Sequence, residues 1–168
     1  MTTARENLIS WLRDAHAMEG QAITLLETQL ERLEHYPEAK PRLQQHLQQT
    51  RDQVAAVERC LGKLGADPST FKDSAMKLSA TMQGMMSAMS TDEVLKHALA
   101  SSAFEQFEAS SYRSLVAAAE QAGESEIART CEQLMKEEQD MAKWMWDQIP
   151  HLTKQYLARE ATGASAKR

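Results

Sequence analysis

Glycine, proline, cysteine and aromatic side chains are all scarce in this chain, and each shortage removes a class of structure. With six glycines and four prolines in 168 residues, few points allow a sharp turn, so long helices are favoured over a loop-rich or many-stranded fold. The two cysteines, Cys60 and Cys131, form no Cys-x-x-Cys pair, which excludes a disulfide framework and a zinc ribbon. Both fall where helix core is expected, so they read as small buried thiols in a reducing compartment. Aromatics make up 5% of the chain, too few for a base-stacking surface. No run approaches the roughly 20 apolar residues of a membrane span, and the first residues lead straight into an amphipathic pattern without an apolar signal core. The chain therefore reads as cytoplasmic, with no membrane partner. The formal net charge is −5 with the two signs interspersed, which argues against a nucleic-acid-binding face. No Gly-rich phosphate loop or nucleophile elbow occurs, so no organic cofactor is implied.

What the sequence does have is helical periodicity. Between breaks at Tyr36-Pro37, Gly62 to Thr70, Gly84, Ser90 to Glu93, Gly123 and Ile149-Pro150, apolar residues recur at a period near 3.6. Four helices follow, over about 4–35, 38–64, 92–122 and 125–148. Ser90 and Glu93 have the spacing of a capping box, Gly123 fits a helix C-terminal cap, and Pro150 is read as ending the fourth helix and opening a short C-terminal one. Short first–second and third–fourth connections, with a long segment over roughly 65–90 between the pairs, predict an all-α antiparallel four-helix bundle with one crossover that holds a short helix of its own. This is the ferritin-like topology. One domain is expected over 1–162, with a loose, weakly basic end over 163–168.

Four glutamates break the apolar stripes: Glu19 in the first helix, Glu105 and Glu108 in the third, Glu138 in the fourth. Glu105 and Glu108 lie about 60° apart around the helix axis, so both point the same way. A single helical glutamate ordinarily sits at the edge of its stripe and reaches solvent. Four at matched heights point instead to a shared site, because burying one carboxylate costs several kcal/mol unless a cation, proton or donor accompanies it. Carboxylates projecting inward from the helices of a bundle are the donor set for two hard cations, iron or manganese. The second helix adds His46, Thr50 and Gln53 to its inner face. His46 could ligate a metal or donate to a ligand carboxylate, and the commoner role for such a residue is a hydrogen-bonded core histidine. His16, three residues before Glu19, raises the same alternatives. Tyr112, one turn beyond Glu108, could donate its hydroxyl to Glu108, act as an electron relay or serve as a core tyrosine bonded locally.

The segments Leu12-Arg13-Asp14-Ala15-His16-Ala17-Met18-Glu19, His46-Leu47 with Thr50 and Gln53, Phe104-Glu105-Gln106-Phe107-Glu108-Ala109-Ser110-Ser111-Tyr112, and Glu137-Glu138 resemble the YciE/YciF family of bacterial ferritin-like proteins, most closely its YciE members, over about 8–160. The resemblance implies a ferritin-like bundle, a homodimer and a part in bacterial stress responses. Rubrerythrin-type relatives hold two irons with one glutamate on the first helix, a Glu-x-x-Glu on the third, and further ligands on the second and fourth. Carried over, Glu19, Glu105, Glu108 and Glu138 match those carboxylates. The position aligned with the second-helix glutamate is Gln49, a neutral amide, and the residues after Glu138 where a further ligand would stand are Met141 and Ala142. The implied ligand set is four carboxylates, with Gln49, Gln53 or His46 as additions.

Two functions fit this pattern. One is a carboxylate metal protein carrying iron or manganese, with oxygen or peroxide as its substrate class. The other is a non-enzymatic helical homodimer with a partial metal site, acting through its surface.

Overall fold

A computed structural model describes residues 2–33, 36–68 and 93–163. Among them are four α-helices, one 3-10 turn and no strand: α1 (Ala4–Arg32), the 3-10 turn (Pro37–Ala39), α2 (Lys40–Lys63), α3 (Glu93–Gln121) and α4 (Ser125–Ala161). Most of the expected crossover and its helix, Ser90 of the expected capping box, and residues 164–168 lie outside the described residues.

The helix ends follow from local chemistry. Thr3 caps α1 with a reciprocal box: the Glu6 amide donates to the Thr3 hydroxyl at 3.2 Å and the Thr3 amide to the Glu6 carboxylate at 2.7 Å. That Thr-x-x-Glu spacing is as legible in the sequence as the Ser90–Glu93 one. Gly123, at φ +77°, closes α3. Its amide donates to the Glu120 carbonyl at 3.0 Å and the Glu124 amide to the Ala119 carbonyl at 2.8 Å, the two bonds of a Schellman cap. The predicted cap is present.

Pro150 is a correction. It stands inside α4 rather than at its end, and among the described residues no separate C-terminal helix follows. Proline removes one helical bond and crowds the preceding turn, but this is a local cost that packing can offset. The apolar stripe of α4 continues past it through Leu152 and buried Tyr156. Beyond the proline, the Thr153 hydroxyl donates to the Ile149 carbonyl at 2.7 Å. The Gln155 amide reaches Glu38 of the 3-10 turn at 2.7 Å. The Gln155 bond ties the last turns of α4 to the base of the α1–α2 connection.

Cross-helix bonds fix the register. His16 meets Glu58 and Glu27 meets Arg51, so α1 and α2 run antiparallel. Gln29 meets Ser101 and Glu19 meets Tyr112, which sets α3 antiparallel to α1. Gln53 meets Glu138 and Lys63 meets Glu126, which does the same for α2 and α4. In this arrangement the apolar core divides. A large cluster around Leu8, Leu12, Leu61, Leu115, Ile127 and Leu134 fills one end, and a smaller one of Leu26, Leu43, Leu47, Met141 and Met145 fills the other. Cys60 and Cys131 are free, buried members of the large cluster. Burial holds both thiols protonated, Cys131 with a pKa pushed up to about 12. Between the two clusters lies a band of buried polar side chains.

Candidate metal centre

That band takes one or more residues from every helix. Glu19 comes from α1; His46, Thr50 and Gln53 from α2; Glu105, Glu108 and Tyr112 from α3; Glu138 from α4. Each is at most 3% exposed. The antiparallel register brings them to one height, and the inward faces result from helical spacing: 46, 50 and 53 share one side of α2, and 105, 108 and 112 one side of α3. The glutamates do not reach solvent.

Their partners account for only part of the band. The Tyr112 hydroxyl donates to Glu19 Oε1 at 2.5 Å. Of the alternatives open for Tyr112, donation to a carboxylate of the band is the one found, but to Glu19 rather than Glu108; the antiparallel register sets Tyr112 opposite Glu19, whereas Glu108 lies a turn away on its own helix. The Gln53 amide nitrogen donates to Glu138 Oε1 and, at 3.0 Å, to Glu137 on the outer side. Thr50 is satisfied by the His46 carbonyl at 3.0 Å. His46 Nε2 lies 3.0 Å from Glu105 Oε2 and 3.8 Å from Glu138 Oε2; neither ring nitrogen has the geometry of a directed hydrogen bond, while Gln49 stands beside the ring and the Glu105 and Glu138 carboxyls face each other closely enough to share a proton. Among the described residues, the buried atoms left without such a bond include Glu19 Oε2, both nitrogens of His46, Gln53 Oε1, Glu105 Oε2, both oxygens of Glu108 and Glu138 Oε2. Native interiors rarely leave buried polar atoms unbonded, so a concentration of them in one layer calls for a ligand, protons or water.

The electrostatics point the same way. Burial raises Glu105 to about 7 and, with the charge of Glu105, Glu138 to about 8. Burial and then the charge of Glu138 lift Glu19 well above the carboxylate range, against the Tyr112 bond. Glu108 is lifted likewise by burial and by Glu19, Glu105 and Glu138. Burial lowers His46, more than its acidic neighbours raise it, so its imidazole is neutral. The His46–Glu105 contact is thus one between a neutral imidazole and a carboxyl rather than an ion pair. A neutral imidazole and carboxyl oxygens, deprived of water, are the donors that divalent cations take.

The remaining candidates are sorted by geometry. Gln49 is half-buried beside His46, with its carbonyl accepting from Arg42 at 3.1 Å. The amide that meets the carboxylates is Gln53. On an ideal helix Gln53 lies about 20° from His46 and Gln49 about 60°, so the angular position on α2 carried this signal. His16 pairs with Glu58 at 3.0 Å on the outside of α1 and α2, away from the band. Two neighbours that sequence reasoning did not place are Glu137, which holds Gln53 from outside, and Arg42, whose charge lowers both His46 and Glu105. The dyad Glu137-Glu138 offered a signal for the first; nothing distinguished Arg42 from other helical arginines.

Comparison with known proteins places this arrangement. A protein from Xanthomonas campestris pv. campestris is 41% identical over 95% of this chain and 99% of that one, with a TM-score of 0.82. The Escherichia coli stress protein YciF is 22% identical, covering 89% and 96% of the two chains, at a TM-score of 0.75. A ferritin-like, diiron-carboxylate protein from Bacillus anthracis is 14% identical, covering 89% and 99%, at 0.72. The last two likenesses establish a shared fold, the ferritin-like four-helix bundle. The profile of a domain of unknown function, DUF892, matches residues 3–158, and the chain belongs to that family.

Proposed function

We propose that the buried band is a carboxylate–histidine centre for divalent cations, iron or manganese, and that the protein is a ferritin-like metal protein. The observation that carries this reading is the set of unbonded buried donors on Glu19, His46, Glu105, Glu108 and Glu138. His46, Glu105 and Glu138 each offer one donor atom, and these three atoms lie within 4.8 Å of one another. Four carboxylates balance two dications, which removes the charge penalty that otherwise holds these groups protonated. Iron bound there would supply electrons for reduction of dioxygen or peroxide. The chain's own contribution is to hold the donors at one height, exclude water through the apolar clusters on either side, and fix Glu19 and Glu138 through Tyr112 and Gln53. The motifs around Glu19 and Glu105 favour the YciE branch and, with it, a role in bacterial stress. Anaerobic loading with ferrous iron followed by elemental analysis is expected to give close to two equivalents per chain, and Glu105→Ala to lose them. Metal-free protein after loading would refute the proposal.

A second reading has its own observation. Trp146, Phe107 and Leu99 are respectively 69%, 50% and 48% exposed, and Leu99 and Trp146 flank a groove between α3 and α4. An apolar patch of this kind suits a homodimer acting through its surface. Sedimentation analysis of Trp146→Ser tests it: a dimer in the parent chain and a monomer in the variant support it, and an unchanged monomer refutes it.

A further inference from the structure

Among the described residues, α2 and α4 pack less closely than the other neighbouring helix pairs, and at the height of the band the seam between them is polar. On α2, Arg42, Gln49 and Gln53 fall within about 40° of one another around the axis. Hydrogen bonds lead inward across the seam from α4. Exposed Gln133 donates to Glu137 Oε1 at 3.1 Å, half-buried Glu137 accepts at Oε2 from the Gln53 amide at 3.0 Å, and the same amide nitrogen donates to Glu138 Oε1. The Gln53 side chain is 1% exposed, yet its carbonyl oxygen has no hydrogen-bond partner among the described residues. A buried amide oxygen without a donor is costly in the empty protein and is a good ligand for a hard cation. The charge of Glu137 reaches inward as far as Glu19 and His46. Nearer the start of α2, Arg42 donates to Gln49 at 3.1 Å, which sets a positive charge along that stretch of the seam.

We infer that the α2–α4 seam is the cation entrance to the buried band, with Glu137 capturing the ion at the surface and the Gln53 amide gating its passage to Glu138. This rests on the proposed cation-binding function and adds a route to it. A hydrated divalent ion gives up its water only as other oxygens replace it. Glu137, Gln53 Oε1 and Glu138 offer such oxygens in succession, from a half-buried position to a fully buried one. The negative charge of Glu137 concentrates cations at the mouth, and Arg42 repels them from the neighbouring stretch. Turning the Gln53 amide withdraws the NH2 group that holds both carboxylates and presents the unbonded oxygen in its place. Neither Glu137 nor Gln53 has to remain a ligand of the seated ion, so their effect falls on the rate of passage in both directions.

The test is rapid mixing of the full chain with manganese(II). Uptake is followed as loss of the electron paramagnetic resonance signal of the aqueous ion, and release is timed after excess EDTA is added. Glu137→Gln should slow uptake at least about tenfold at low salt, with the deficit shrinking as ionic strength rises, and should leave the number of ions bound unchanged. Glu132→Gln removes the same charge from an exposed position of α4, where Glu132 pairs with Lys136, and should leave uptake unchanged. Gln53→Ala opens the seam and should quicken uptake and release together, whereas Gln53→Leu fills it with an apolar side chain and should slow both. Circular dichroism and the melting temperature establish that each variant is folded; should the Gln53 variants unfold, the two glutamate variants decide the matter. Unchanged uptake in Glu137→Gln, equal slowing in Glu132→Gln, unchanged rates in folded Gln53 variants, or loss of bound ion in folded Glu137→Gln would overturn the entrance. A parent chain that binds neither manganese nor iron would instead overturn the proposed function itself, and the entrance with it.

Discussion

At the scale of single residues, the metal-free protein carries a burden that the sequence already signals. Glu108 has two buried oxygens without a directed bond, so replacing it by an apolar side chain of similar length should stabilise the metal-free fold. Glu108→Leu is expected to add about 1–3 kcal/mol in urea denaturation at pH 8, at the expense of cation binding. The sign of the pH dependence follows from the same groups. Glu19, Glu105, Glu108 and Glu138 all have folded-state pKa values above the unfolded value of about 4.3. Their favourable contribution is therefore complete below that unfolded value and is lost as pH rises through the folded values, about 7 for Glu105 and about 8 for Glu138. His46, with a lowered pKa, acts oppositely: its contribution is present above about 6.5 and falls as pH drops through the folded value. Denaturation midpoints of metal-free protein should thus decline from about pH 6 to pH 9, and excess manganese should flatten the decline. A series without that slope would mean that the carboxyls find other partners. The glutamates were legible because each breaks an apolar stripe. The choice of Gln53 over Gln49, and Tyr112's bond to Glu19, were not, since both depend on a facing helix.

At the scale of elements, termini and interruptions behave differently. Gly123 has φ +77°, a conformation that costs a residue with a Cβ about 1–2 kcal/mol. Gly123→Ala should lose roughly that much stability, seen as a lower melting temperature with metal stoichiometry unchanged. Pro150 offers the reverse case. Pro150→Ala restores a backbone N–H to the interior of α4, and a gain of about 1–3 kcal/mol is expected; a loss would mean that the bend at the proline itself seats Tyr156 and Gln155. Helix positions and the α3 cap were legible from period and glycine placement. The continuation of α4 was not, because proline marks a local conflict, while the outcome rests on the contacts of Tyr156, Thr153 and Gln155 further along the helix.

At the scale of the whole molecule, the ferritin-like bundle could be foreseen from four long apolar periods and two short connections. What no single period reveals is that the four polar interruptions align into a layer, since that requires the antiparallel register of all four helices at once. The layer separates a large apolar cluster from a small one containing Leu26, Leu43, Leu47, Met141 and Met145. Its consequence lies in cooperativity. Without a cation, little except backbone continuity and the Tyr112 and Gln53 bonds transmits order across the layer, so the small end should open on its own as a lower-stability unit. Calorimetry of metal-free protein should then give a van't Hoff enthalpy below the calorimetric one, with amides around Leu43 and Met145 exchanging before those around Leu61 and Ile127. If the proposed centre takes up manganese, the added cation should fuse the two transitions into one.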